Sequence, residues 1–170
     1  ANTTFCLNLN GCSSEDVRDI SGVPNDIFRR IIAIDLSGNG LTCLPTDAQL
    51  LRNATFLKYL SLSANQLEDV PTEALQHLTR LRRLDLGVNL IKKIQANAFA
   101  NHTSLQHLDM SNNQLHSIDD DGFADLSRLV HMELQDNNLK NIPERALDAL
   151  TNLTYLDVST NMLAHLPTTP

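Results

Sequence analysis

An eleven-residue pattern recurs six times along this chain, and a repeat of that kind leaves few folds open. The segments are IIAIDLSGNGL (31–41), LKYLSLSANQL (57–67), LRRLDLGVNLI (81–91), LQHLDMSNNQL (105–115), LVHMELQDNNL (129–139) and LTYLDVSTNML (153–163). Each fits L-x-x-L-x-L-x-x-N-x-L with Ile, Met or Val allowed for Leu, and no apolar position holds a polar residue. The asparagines are Asn39, Asn65, Asn89, Asn113, Asn137 and Asn161, 26 residues apart once and then 24 residues apart four times. In x-L-x-L the side chains alternate between faces, so the leucines point inward and the intervening residues outward. One such strand cannot bury its apolar face alone. Stacking the next coil beside it, about 4.8 Å away, extends both the sheet and the core. The Asn turns each coil off its strand, and its amide is suited to pair with backbone groups that lack a ladder.

The other half of each coil also repeats. EALQHL (73–78), NAFANH (97–102), DGFADL (121–126) and RALDAL (145–150) share one register and read as short helical or irregular segments. Leu75, Phe99, Phe123 and Leu147 are the expected inward anchors. His102 stands where Leu78, Leu126 and Leu150 fill the equivalent position, and it is expected as a partly exposed polar substitution. The first interval carries two extra residues near 46–56, so its loop should be longer.

Aromatic residues are only 4% of a chain that is 42% hydrophobic, so the core must be aliphatic. The net charge of -7 argues against nucleic acid or anionic lipid as the main partner, since both require a positive face. No stretch approaches the roughly 20 apolar residues of a membrane span; anchoring would need a longer precursor. Cysteines are Cys6, Cys12 and Cys43, an odd count that leaves one thiol unpaired or paired outside the chain. Asn2, Asn53, Asn101 and Asn152 head N-x-[ST] sequons. Sequons and cysteines together favour an oxidising, glycosylating route and an extracellular protein.

The repeats resemble the leucine-rich-repeat family, in particular the extracellular 24-residue class found in Toll-like receptor ectodomains, variable lymphocyte receptors and adhesion proteins. The resemblance implies an α/β solenoid: a right-handed horseshoe with a concave parallel β-sheet and an irregular or short-helical convex side. Residues 1–30 are similar to the N-terminal disulfide cap of those receptors, and 31–170 hold the six repeats. Many family caps carry four cysteines and this segment carries two. The resemblance implies a Cys6–Cys12 bond, with Cys43 as an alternative partner for either. No cysteine-rich C-terminal cap follows Leu163, so either the chain is an excised piece or its last edge is open to association.

Two outward columns on the concave sheet are the candidate site. The first runs Ala33, Tyr59, Arg83, His107, His131, Tyr155 and contains both tyrosines of the chain. Tyr and Arg are enriched at binding hot spots because they combine contact area with polar handles. The second runs Asp35, Ser61, Asp85, Asp109, Glu133, Asp157, where Asp is common in the resembled family. The expected ligand contacts are Tyr59, Arg83, His107, His131 and Tyr155, with Asp85, Asp109 and Glu133 beside them. His107, Asp109, His131 and Glu133 carry Zn²⁺-ligand chemistry, but ordinary surface residues are the better reading, and no metal or cofactor is expected. DDDG at 119–122 lacks the late acidic ligand of a calcium loop, since position 128 is Arg. No nucleophile elbow or phosphate loop is present, which argues against an enzyme. The reading is an extracellular recognition module, receptor or adhesion ectodomain, binding a protein or glycan; the alternative is a secreted matrix component.

Overall fold

The computed structural model describes residues 5–9, 25–44 and 49–165. Asn2 and Cys12 lie outside that set, and so does the expected Cys6–Cys12 bond. Cys6 and Cys43 are both exposed and are not bonded to one another.

The repeats build one parallel sheet. Its strands are β1 (Phe5–Asn8), β2 (Ile31–Asp35), β3 (Tyr59–Ser61), β4 (Arg83–Asp85), β6 (His107–Asp109), β8 (His131–Glu133) and β9 (Tyr155–Asp157), adjacent in that order. A second, two-stranded sheet pairs β5 (Lys93–Ile94) with β7 (Ser117–Ile118). Each repeat strand is in register with the next: Leu60 faces Leu84, Leu84 faces Leu108, and Leu108 faces Met132. Those inward side chains are essentially inaccessible to solvent and belong to a single core along the coils that is mainly aliphatic, with Phe28, Phe99 and Phe123 added to it. The chain is therefore a β-solenoid with little helix. The N-terminal segment contributes more than a cover, since β1 pairs parallel with β2 and acts as a further coil.

The asparagines join coil to coil. Asn89 Nδ2 donates to Leu86 O of its own coil at 3.0 Å and to Leu62 O of the preceding coil at 3.0 Å. Its Oδ1 accepts from Leu67 N–H at 3.1 Å. Asn65, Asn113, Asn137 and Asn161 repeat the arrangement. Asn39 donates to Leu9 O at 2.9 Å, so Leu9 takes the place of a preceding coil's leucine. The carbonyls of Leu36, Leu62, Leu86, Met110 and Leu134 are thereby paired where the chain leaves the strand, as buried backbone requires.

The residue before each asparagine is left-handed: Gly38, Ala64, Val88, Asn112, Asp136 and Thr160 have φ between 50° and 69°. This bend lets the N–H of that residue reach the next coil, as Val88 N–H does to Ser111 O at 3.0 Å. Gly, Asn and Asp tolerate the conformation, whereas the branched Val88 and Thr160 resist it.

The other side of the coils divides in two. Helices α1 (Asn25–Phe28), α2 (Gln49–Asn53), α3 (Thr72–Leu75) and α4 (Glu144–Leu147) are one turn long, and α2 occupies the longer first interval. Pro71 and Pro143 precede α3 and α4, with Glu73 and Glu144 in the first turns. In the intervening coils Asn97 and Asn101 have positive φ, as does Asp125, and turns replace the helix. Leu75, Phe99 and Phe123 are fully buried, with the two rings stacked at 6.3 Å, while Leu147 is half-buried against the core. The expectation for His102 is overturned. It is 2% exposed, because its position faces the core as Leu78 and Leu126 do. Its Nδ1 lies 3.0 Å from Ala100 O, and its Nε2 has no hydrogen-bond partner.

Candidate functional site

Strand alternation places the first outward column on the solvent face of the sheet, and the parallel register puts its members side by side. Tyr59 neighbours Arg83, Arg83 neighbours His107, His107 neighbours His131, and His131 neighbours Tyr155. The side chains touch along the column. The Arg83 guanidinium lies 5.9 Å from the Tyr59 ring centre. The His107 and His131 rings are 5.7 Å apart, and His131 stacks on Tyr155 at 4.1 Å with only 3° between planes. A ring ladder of this kind restrains its members' rotamers, so these side chains have little conformational freedom. All five residues are at least partly exposed.

The carboxylate column does two kinds of work. Asp35, Asp85, Asp109 and Asp157 each accept the backbone N–H two residues on, at 2.8–3.0 Å, and so fix the turn that leaves the strand. Asp85 and Asp109 are thereby structural as well as candidate contacts. Glu133 carries one methylene more and is engaged differently. It meets His131 Nε2 at 2.9 Å and accepts from Gln135 Nε2 at 3.1 Å. Around these groups lies a depression of about 260 Å³, lined by Arg83, Leu84, His107, Leu108, Asp109, His131 and Glu133.

Electrostatics sharpen the pattern. Burial, with Arg83 and His131 nearby, holds His107 below the ordinary imidazole value. The Gln135 hydrogen bond, reinforced by His131 and Arg83 against a desolvation penalty, holds Glu133 below the usual carboxylate range. Burial and the Asp109 charge push Asp85 up. The Asp157 carboxylate raises Tyr155, and Ser159 lowers Asp157.

A third outward position was not singled out from sequence. Gly87 and Ser63 follow the carboxylate column, as do Ser111 and Gln135. Gly87 leaves room for the carboxylates: a Cβ there would meet Asp109 Oδ1 at 3.2 Å and Asp85 Oδ1 at 3.3 Å. Gln135 departs from the small residues of this row, and that departure was the available signal for its hold on Glu133. Val88 and Leu90, both exposed, also give coil 81–91 an apolar rim where the adjoining coils carry Ala64, Gln66, Asn112 and Gln114.

Among the described residues no group of three or more His, Cys, Asp or Glu is placed to hold a metal ion. The DDDG carboxylates are engaged elsewhere: Asp119 with Lys93 at 2.9 Å and with Ala96 N–H at 3.1 Å, Asp120 with Arg145 at 3.7 Å. No described helix is long and apolar enough to cross a membrane. Of the sequons, Asn101 and Asn152 are exposed and Asn53 is half-buried.

Comparison with known proteins gives a consistent result. The family model described as Leucine rich repeat matches residues 55–115 and 111–163. A search of curated proteins finds no match. Among solved structures, the chain is similar to Toll in the Drosophila Toll–Spatzle complex, at 29% identity and a TM-score of 0.78, covering 95% of this chain and 21% of that one. It is also similar in fold to TLR13 in a complex with single-stranded RNA, at 22% identity and a TM-score of 0.66, covering 84% of this chain and 24% of that one. The chain thus spans about a fifth to a quarter of those receptors' length.

Proposed function

The chain belongs to the leucine-rich-repeat family, and from that premise we propose that it is part of an extracellular recognition module that binds a protein ligand through the concave face of its sheet. The observation that carries this reading is the ladder Tyr59–Arg83–His107–His131–Tyr155, five neighbouring coils whose outward side chains are large, polar-tipped and mutually supported. A face kept only for solubility has no need of stacked rings; a binding face gains contact area at low entropy cost. The likeness to Toll in its complex with Spatzle supports a protein as the ligand. The acidic column beside the ladder favours a partner with a basic patch. Arg83 and His131 are the expected anchors, with Glu133 holding His131 in place. No residue set on this open face resembles catalytic machinery, and the module is read as a binder.

The test is a binding screen of the protein against secreted proteins and glycans, followed by the double variant Arg83→Ala/His131→Ala on the ligand found. We expect at least a tenfold loss of affinity, about 1.4 kcal/mol, with an unchanged melting temperature. A folded double variant that binds as tightly as wild type would overturn the assignment of the face.

A further inference from the structure

We propose that Asn101 is an N-glycosylated position whose first N-acetylhexosamine is seated against the protein, in the groove between α3 and the 97–102 turn. Asn101-His102-Thr103 is a sequon, and both Asn101 and Thr103 are exposed. The asparagine sits at φ 66°, and its backbone N–H is pinned by Asp125 Oδ2 at 2.9 Å. Its side-chain amide makes no hydrogen bond among the described residues. The other described sequons differ. Asn53 is half-buried. Asn152 Nδ2 already donates to Ser127 O at 2.6 Å, and the Thr154 hydroxyl donates to Val130 O at 3.1 Å.

What singles out Asn101 is the space beside it. A groove of about 230 Å³ is lined on one side by Thr72, Glu73 and Gln76 and on the other by Asn97, Ala98, Ala100, Asn101 and His102. This is smaller than the roughly 300 Å³ at which drug-sized pockets begin, and it suits one pyranose ring. The lining mixes the methyl groups of Ala98 and Ala100 with the polar side chains of Glu73, Gln76 and Asn97, which matches a sugar's carbon face and its hydroxyl edges. Gln76 Nε2 donates to Glu73 O at 2.9 Å, which leaves Gln76 Oε1 to accept from a hydroxyl or acetamido N–H.

The covalent step is ordinary for a sequon. Asn101 Nδ2 attacks the anomeric carbon of a lipid-pyrophosphate-linked oligosaccharide. The new N–C bond forms, the bond from that carbon to the pyrophosphate oxygen breaks, and lipid pyrophosphate leaves with the electron pair. The amide proton passes to a base of the transferase. The sugar then covers the side of the coil opposite the sheet and leaves the ring ladder open.

The inference rests on the extracellular reading only in requiring a glycosylating route. The protein is therefore made in a secretory host that glycosylates, so a negative result here says nothing about the ligand face. Peptide mapping should find hexosamine on Asn101 in nearly all molecules, and Thr103→Ala should remove that glycan alone. Both proteins are then trimmed by an endoglycosidase that leaves one sugar at each site. Trimmed wild type should melt about 2 °C or more above trimmed Thr103→Ala, in excess of any difference between the same pair made without glycans in bacteria. Gln76→Ala should lower the melting temperature more in trimmed wild type than in Thr103→Ala. An empty Asn101, equal melting after correction, or a Gln76→Ala effect of the same size in both backgrounds would each refute the seated sugar.

Discussion

Asn89 has no slack in its bonding. It closes hydrogen bonds to Leu62 and Leu86, to Gly87 at 3.2 Å and to Leu67, inside a turn where it is 5% exposed. Asn89→Ala should cost about 2–3 kcal/mol, because backbone groups on two coils lose their partner away from water. Asn89→Asp should be at least as damaging at neutral pH, since it keeps an acceptor but loses the donors and buries a charge. Chemical denaturation of the three proteins checks this; an Asp variant more stable than the Ala variant would contradict it. His102 is the opposite case. It occupies a leucine position with one nitrogen unsatisfied, so His102→Leu should raise stability by about 1 kcal/mol even after losing the Ala100 contact. A lowered melting temperature would contradict this.

At the level of elements, the turn after each strand is the unit that repeats. Val88 is the branched residue of the middle coils forced to φ 54°, and it is 54% exposed, so neither the backbone nor the core asks for it. Val88→Asn matches Asn112 one coil on and should stabilise by about 0.5–1 kcal/mol. If Val88 is instead retained as an apolar contact beside the ladder, ligand affinity should fall while stability rises, and measuring both separates the roles. The carboxylate column makes a pH prediction. Asp85 is raised in the folded state by burial and by Asp109, so the fold holds that proton more tightly than the unfolded chain. The stability tied to it is present below the unfolded Asp value and is lost as pH rises through the raised folded value. Asp85→Asn keeps an acceptor for Gly87 N–H without the charge. It should therefore melt above wild type at neutral pH, with the gap closing as pH falls into the acid range. A gap that widens in acid would show that the charge is favourable there. Strand, column and asparagine were legible from sequence because each follows from a period of two or twenty-four residues. His102 was misread because a polar letter outweighed a core register, although the leucines at the same place in three other coils carried the right answer. The strand at Phe5–Asn8 was missed since one short strand without the asparagine shows no period. The hold of Gln135 on Glu133 had one sequence signal, a long amide in a row of small residues, but which group that amide meets depends on rotamers.

Across the whole molecule, charge decides which ligands the fold admits. The family scaffold hosts partners of different kinds, and one structural neighbour was solved with single-stranded RNA. On the sheet face of this chain Asp35, Asp85, Asp109, Glu133 and Asp157 stand in one column, with Arg83 the cation of the adjoining one. The net charge of -7 has the same sign. A polyanion approaching that face releases few counterions and meets a negative potential, so affinity for single-stranded RNA should be negligible at physiological salt. A basic protein gains from the same field during its approach. Its association rate should fall at least tenfold between about 0.05 M and about 0.5 M salt, while dissociation changes less. Glu133→Lys should slow association further, since it reverses one charge and removes the group that orients His131. Stopped-flow mixing with the ligand from the screen measures both rates. Salt-independent association, or tight binding of an RNA oligonucleotide, would mean that the acidic column does not steer the partner and that recognition lies on another face.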